Sequence, residues 1–170
     1  LFPSAYFSFQ LPKNNELQLN YTRRIYRPGG WIINNHVDRT DPTNIRKGNP
    51  YINPEYSNNL EFNYLKTWEY HTISLGAFYT YTEDVIQQIQ KLADNGVMET
   101  TFGNITYSQS AGLDLTVKNR LFNNYLDLTT TATAYYYQLG ENTEYNIPKT
   151  ETFSWNVRLN ANVKIINNLS

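Results

Sequence analysis

Cysteine is absent and methionine occurs once in the 170 residues. Without a thiol there is neither a disulfide framework nor a cysteine-ligated metal. No apolar run approaches the ~18 residues a membrane-spanning helix needs. Charge is nearly balanced, 14 Lys and Arg against 15 Asp and Glu for a net −1, so no nucleic-acid partner is expected. His36 and His71 are the only histidines, lie far apart in sequence and read onto different ends of the expected barrel wall, so neither a metal site nor a cofactor is expected. Gly-x-Ser-x-Gly, a phosphate loop and His-Glu-x-x-His are all missing, and no catalytic role is expected. The first residues include no methionine, charged n-region or apolar h-region, hence no signal peptide is read there.

What is present is tyrosine, 15 of 170, and alternation. Phe153, Trp155, Val157, Leu159, Ala161, Val163 and Ile165 interleave with Ser154, Asn156, Arg158, Asn160, Asn162 and Lys164. Successive strand side chains point to opposite faces, so one face is greasy and the other wet. Mean hydropathy is negative. That fits a transmembrane β-barrel, where half of every strand faces water.

Seven stretches read as strands: residues 6–11, 16–24, 58–66, 72–91, 104–118, 125–138 and 153–165. The links alternate: short at 12–15, long at 25–57, short at 67–71, then a hairpin tip at Ala93-Asp94-Asn95-Gly96, short at 119–124, longer at 139–152. The arms of that hairpin, 85–91 and 97–102, are expected to extend past the membrane. Short periplasmic turns and long external loops are the habit of outer-membrane barrels. The expected fold is therefore all-β, an antiparallel up-and-down transmembrane β-barrel segment. An odd strand number cannot close alone, and open edges in lipid leave backbone groups unpaired at several kcal/mol each. Residues 1–170 are accordingly read as one partial outer-membrane barrel domain, a fragment without plug, completed by the rest of a parent barrel or by other chains. The alternative is a soluble all-β carbohydrate- or ligand-binding module, with strands of about 5–6 residues.

One loop carries more than alternation. Tyr21-Thr22-Arg23-Arg24-Ile25-Tyr26-Arg27-Pro28 is followed by Asn44-Ile45-Arg46-Lys47-Gly48-Asn49-Pro50 and then Asn53-Pro54-Glu55. Asp84-Val85-Ile86-Gln87, Asn104 and Gly112-Leu113-Asp114-Leu115 come later. In order and spacing this resembles the TonB-dependent receptors of the Bacteroidetes-type outer-membrane β-barrel family. The resemblance implies a bacterial outer-membrane location with contact to lipid, an external solute of unknown identity, a plug, and energy coupling through TonB via parts outside these residues. Members often carry Leu-Asn-Pro-Phe where this chain has Ile33-Asn34-Asn35-His36, so the local turn is expected to differ.

Gly48, Asn49, Pro50, Pro54 and Glu55 are expected to be structural: the prolines bias the residues before them away from helix, and glycine permits unusual backbone. Arg23, Arg24 and Arg27 are candidates for an anionic solute or lipopolysaccharide phosphate, against the plainer reading that they solvate the rim. Trp31, in the long loop, is a candidate for solute contact; Trp68, Trp155 and Tyr135 to Tyr137 read as interfacial girdle. Glu61, Asp114 and Asp127 sit singly on polar faces.

Overall fold

The computed structural model describes residues 2–94, 96–122, 125–143 and 145–164. Asn95 of the expected hairpin tip, Asn124 of the last short turn and Ile165 of the last expected strand lie outside them. Seven long strands form the wall: β1 (Ser4–Leu11), β2 (Asn15–Tyr26), β5 (Glu55–Thr67), β6 (His71–Leu92), β7 (Met98–Leu121), β8 (Leu126–Leu139) and β9 (Thr150–Val163). Between β2 and β5 the loop holds a four-residue helix α1 (Gly30–Ile33) and two short strands, β3 (Val37–Asp38) and β4 (Asn44–Lys47). Consecutive wall strands pair antiparallel. Among the described residues β1 pairs only with β2 and β9 only with β8, so the sheet is open at both sides.

Register carries the alternation across the whole wall. Phe7, Leu19, Phe62, Ala77, Leu113, Ala134 and Trp155 stand opposite one another in a single row. Two residues along, Phe9, Leu17, Tyr64, Leu75, Leu115, Ala132 and Val157 form a second. Between them, on the other face, lie Ser8, Gln18, Asn63, Gly76, Asp114, Thr133 and Asn156. The apolar rows stay open: Trp155 is 70% exposed and Leu113 57%. No second sheet covers them among the described residues, and strands of 22 and 24 residues exceed what a small sandwich uses. On β9 the outward apolar residues run from Phe153 to Val163. Ten steps of about 3.4 Å at a tilt near 40° rise about 25 Å, the height of a barrel's apolar band.

The wet face is a ladder of amides and carboxylates. Glu61 accepts hydrogen bonds from Asn20 (3.2 Å) and Asn59 (2.5 Å), and Asp114 accepts one from Thr133 (2.7 Å). Gly112 shares this face with Phe78 and Tyr135, its register partners. A Cβ on Gly112 would lie 2.5 Å from the Phe78 ring, so the aromatic covers the glycine.

The fifth expected strand starts too late. β7 runs straight through Gly103 from Met98, because the Ile89 side chain fills the space a Cβ would need there, at 2.5 Å. β6 and β7 therefore continue beyond the wall as one long hairpin. Buried apolar residues gather around this extension: Ile32, Ile52, Ile89, Ile105 and Leu139. Among the described residues the wall has no core of its own; the compact core lies where the long loops pack on the hairpin.

Candidate functional site

The 27–54 loop crosses the hairpin and docks on its far edge. β4 pairs parallel to β7, Asn44 opposite Met98 and Arg46 opposite Thr100. Thr100 Oγ1 donates to Asn44 Oδ1 at 3.1 Å, and Met98 N to the Thr43 carbonyl at 2.9 Å. This caps an edge that β8 leaves bare, since β8 reaches only to Ser108.

The Gly-Asn-Pro and Pro-Glu residues meet the hairpin in one knot. Gly48 N and Asn49 N donate to the carbonyls of Asn34 (3.0 Å) and Ile32 (2.7 Å), closing the loop behind α1. Asn49 Nδ2 donates to the Phe102 carbonyl (3.0 Å) and its Oδ1 accepts from Tyr51 N (3.0 Å), across Pro50. Asn53 N donates to Asn104 Oδ1 (2.8 Å), whose amide donates back to the Asn53 carbonyl (2.9 Å) and on to Asp84 (2.7 Å). Asp84 has φ of 56° and sits where the β6–β7 register shifts. That bulge frees Ile86 N, which donates to Glu55 Oε1 at 2.6 Å just after Pro54. Asn104→Ala removes three hydrogen bonds at this point, for a loss of about 2 kcal/mol. Hydrogen exchange at residues 84–86 should quicken while exchange in the wall stays unchanged.

A cavity of about 310 Å³ opens on the Phe102 side, lined by Trp31, Asn34, His36, Asp38, Arg46, Lys47, Gln88 and Thr100 among others. Trp31 stands edge-on to Phe102, centroids 4.8 Å apart and 87° between planes, and remains 69% exposed. The 140–149 loop joins the same end of the wall: Asn142 Nδ2 donates to the Ile105 carbonyl (2.6 Å), and Lys91 lies 4.7 Å from the Tyr145 ring centre.

Of the sequence candidates, Trp31 lines this cavity and the three arginines do not. Arg24 and Arg27 are exposed, and Arg23 stacks over Tyr56 on the wall. The cavity's cations are Arg46 and Lys47, the latter 4.0 Å from Glu99. His36 lies in the loop, whereas His71 opens β6 at the opposite end and bonds Asn119 at 2.8 Å. Asp127 faces Lys164 at 3.4 Å and Arg120 at 3.9 Å.

Two aspartates stiffen the loop. Asp38 accepts from Thr40 Oγ1 (2.6 Å) and N (2.9 Å), and Asp41 likewise from Thr43 (2.7 and 2.9 Å). The threonine bonds hold both carboxyls below the ordinary aspartate value, with His36 and Arg46 adding a smaller pull on Asp38. A depressed pKa contributes stability above the unfolded value, which is lost as pH falls through the folded one. Amide protection of residues 38–44 should therefore hold from neutral pH into the ordinary aspartate range and drop only below it. Loosening well above that range, measured by hydrogen exchange, would contradict this.

A one-layer sheet with an apolar outer face, a hydrated inner face and a packed external end is the wall of a transmembrane β-barrel. The chain belongs to the outer membrane protein beta-barrel family, whose pattern matches residues 1–170. Its place is the bacterial outer membrane. No curated protein matches the sequence. Among solved structures it is similar to the siderophore receptor PirA from Pseudomonas aeruginosa, with 15% identity and a TM-score of 0.69 over 94% of this chain and 34% of that one. A mutant of the ferric enterobactin receptor PfeA from Pseudomonas aeruginosa, in complex with enterobactin, shows 17% identity and a TM-score of 0.66 over 93% and 25%. PirA from Acinetobacter baumannii shows 11% and 0.60 over 98% and 35%. At these identities the likeness establishes the fold, and the chain spans between a quarter and about a third of those receptors.

Proposed function

We propose that this chain is part of the barrel wall of a TonB-dependent outer-membrane receptor, and that its loops 27–54 and 140–149 form part of the mouth where solute is first held. The observation that carries this is the loop knot: Asn49, Asn53 and Glu55 fasten a long external loop over the hairpin extension and leave Trp31 open beside the cavity. A loop fixed in this way presents a preorganised aromatic surface, as a binding site requires. The likeness to siderophore receptors supports the same reading and makes iron-chelating solutes the first to test. Arg24 and Arg27, exposed at the external end of β2 and just beyond it, are further candidates for solute contact. The segment itself is passive: plug movement, driven through TonB, belongs to the rest of the receptor, and no chemistry is performed here.

The test is uptake by cells carrying the full-length protein, over a panel of ferric catecholates and hydroxamates. Uptake of at least one solute should require the protein and stop when a protonophore collapses the inner-membrane gradient. Trp31→Ala should weaken half-saturation about tenfold, the order of one lost aromatic contact. Uptake indifferent to the protonophore would overturn the receptor reading.

A further inference from the structure

Arg23 and Arg24 are neighbours in sequence and opposites in the wall. β2 pairs with β5 without a register shift from Asn15 to Tyr26. Leu17, Leu19, Tyr21 and Arg23 therefore share the apolar face, and Arg24 points to the hydrated one. Tyr21 belongs to the last largely apolar row on that face. The next row begins with Arg23 and continues through Asn58, Tyr81 and Gln109. Arg23 thus stands at the top of the lipid-facing band, on the end that bears the long loops, at the level of the outer-leaflet headgroups.

Its surroundings are built. Arg23 N donates to the Pro3 carbonyl at 3.0 Å. The guanidinium lies 5.1 Å from the Tyr56 ring centre. Nε is enclosed and has no hydrogen-bond partner among the described residues. Tyr21 is held aside by its hydroxyl, which donates to Asn58 Oδ1 at 2.9 Å. Glu83, on the same face two strands away, makes no ion pair with Arg23. A guanidinium is always charged and presents a planar fork suited to phosphate. Fixed by an aromatic ring above apolar rows, and without an anionic partner among the described residues, it calls for an anion that carries its own acyl chains.

We infer that Arg23, seated on Tyr56, binds a phosphate of an outer-leaflet phosphoglycolipid whose acyl chains lie on Leu19 and Leu60. A free anion would gain nothing from the rows below, whereas a phosphorylated lipid satisfies both halves of the surface. The inference rests on the placement of the barrel in the membrane and not on transport, so failure of the uptake assay leaves it standing.

Full-length wild-type, Arg23→Gln and Arg24→Gln proteins, extracted in mild detergent, are compared by native mass spectrometry for retained phosphoglycolipid. Arg23→Gln should retain about fivefold to tenfold less, the order set by one charge-assisted contact, while Arg24→Gln matches wild type. Equal retention in all three, or equal loss in both variants, overturns the assignment. Should Arg23→Gln not fold, the wild-type protein is reconstituted with phosphorylated or with enzymatically dephosphorylated lipid A. A higher unfolding midpoint with the phosphorylated lipid is expected, and no difference between the two overturns the assignment.

Discussion

Gly48→Ala should release the long external loop from the hairpin while leaving the barrel wall intact. A Cβ at this position would lie 2.6 Å from the Ile32 carbonyl oxygen, 2.8 Å from Asn34 N and hard against the Asn34 carbonyl oxygen. All three are backbone atoms, so no side chain can swing away. The same stretch holds the hydrogen bonds from Gly48 N and Asn49 N that close the loop behind α1. Overpacking against backbone costs about 3 kcal/mol or more. The loop has little besides this knot and its small core to set against that. Limited proteolysis on intact cells should show residues 27–54 cut much faster, and solute binding should fall with it. The mobility of the unheated barrel on gels should not change. Gly30→Ala is the matched control, because nothing lies within 4 Å of a Cβ there. Equal protease resistance of both variants would mean that the loop is not seated through Gly48.

Val157→Lys and Asn156→Lys should differ sharply although the positions adjoin. Val157 lies in an apolar row at mid-height of β9, opposite Ala132, and Asn156 stands opposite Thr133 on the hydrated face. A lysine at the midplane on the lipid side costs about 2–4 kcal/mol, whereas a lumenal one mainly alters local hydration. Unfolding of the full-length protein in lipid vesicles by urea should show a loss of that size for Val157→Lys and a change under about 1 kcal/mol for Asn156→Lys. Equal losses would remove the assignment of faces.

The wall was legible because its physics is local. Period-two patterning needs only neighbouring residues, and it located all seven long strands, the alternating links and the extended hairpin. Ends were harder to read. The strand expected from 104 starts instead at Met98 and passes through Gly103, where Ile89 on the facing arm of the hairpin occupies the space a Cβ would need. The content of the long loop was not legible. β4 exists only because it meets β7 across more than fifty positions, Asn44 against Met98, and four residues give no periodic signal. α1 is a single turn that begins at glycine, poor helix material. The cavity suffered likewise: Trp31 stood out by residue type, but Asp38 meets Arg46 only through the short β3–β4 pairing within the loop, and Gln88, Thr100 and Phe102 join the lining only once the loop crosses the hairpin. The Asp84 bulge explains why Glu55 and Asn104 occur where they do, since both satisfy backbone groups that the bulge leaves open. The arginine cluster read as one feature divides by strand parity into one residue toward lipid, one toward water and one beyond the strand.

The central claim is that one face of this sheet meets lipid and the other water, residue by residue. The absence of cysteine from the segment makes it directly testable. Single cysteines placed in turn at positions 153 to 163 of the full-length protein, in vesicles, are labelled with a polarity-sensitive fluorophore and challenged with a lipid-borne quencher and a water-borne one. Positions 153, 155, 157, 159, 161 and 163 should be quenched from lipid, and 154, 156, 158, 160 and 162 from water. A profile without period two, or one quenched from water throughout, would contradict the barrel-wall account.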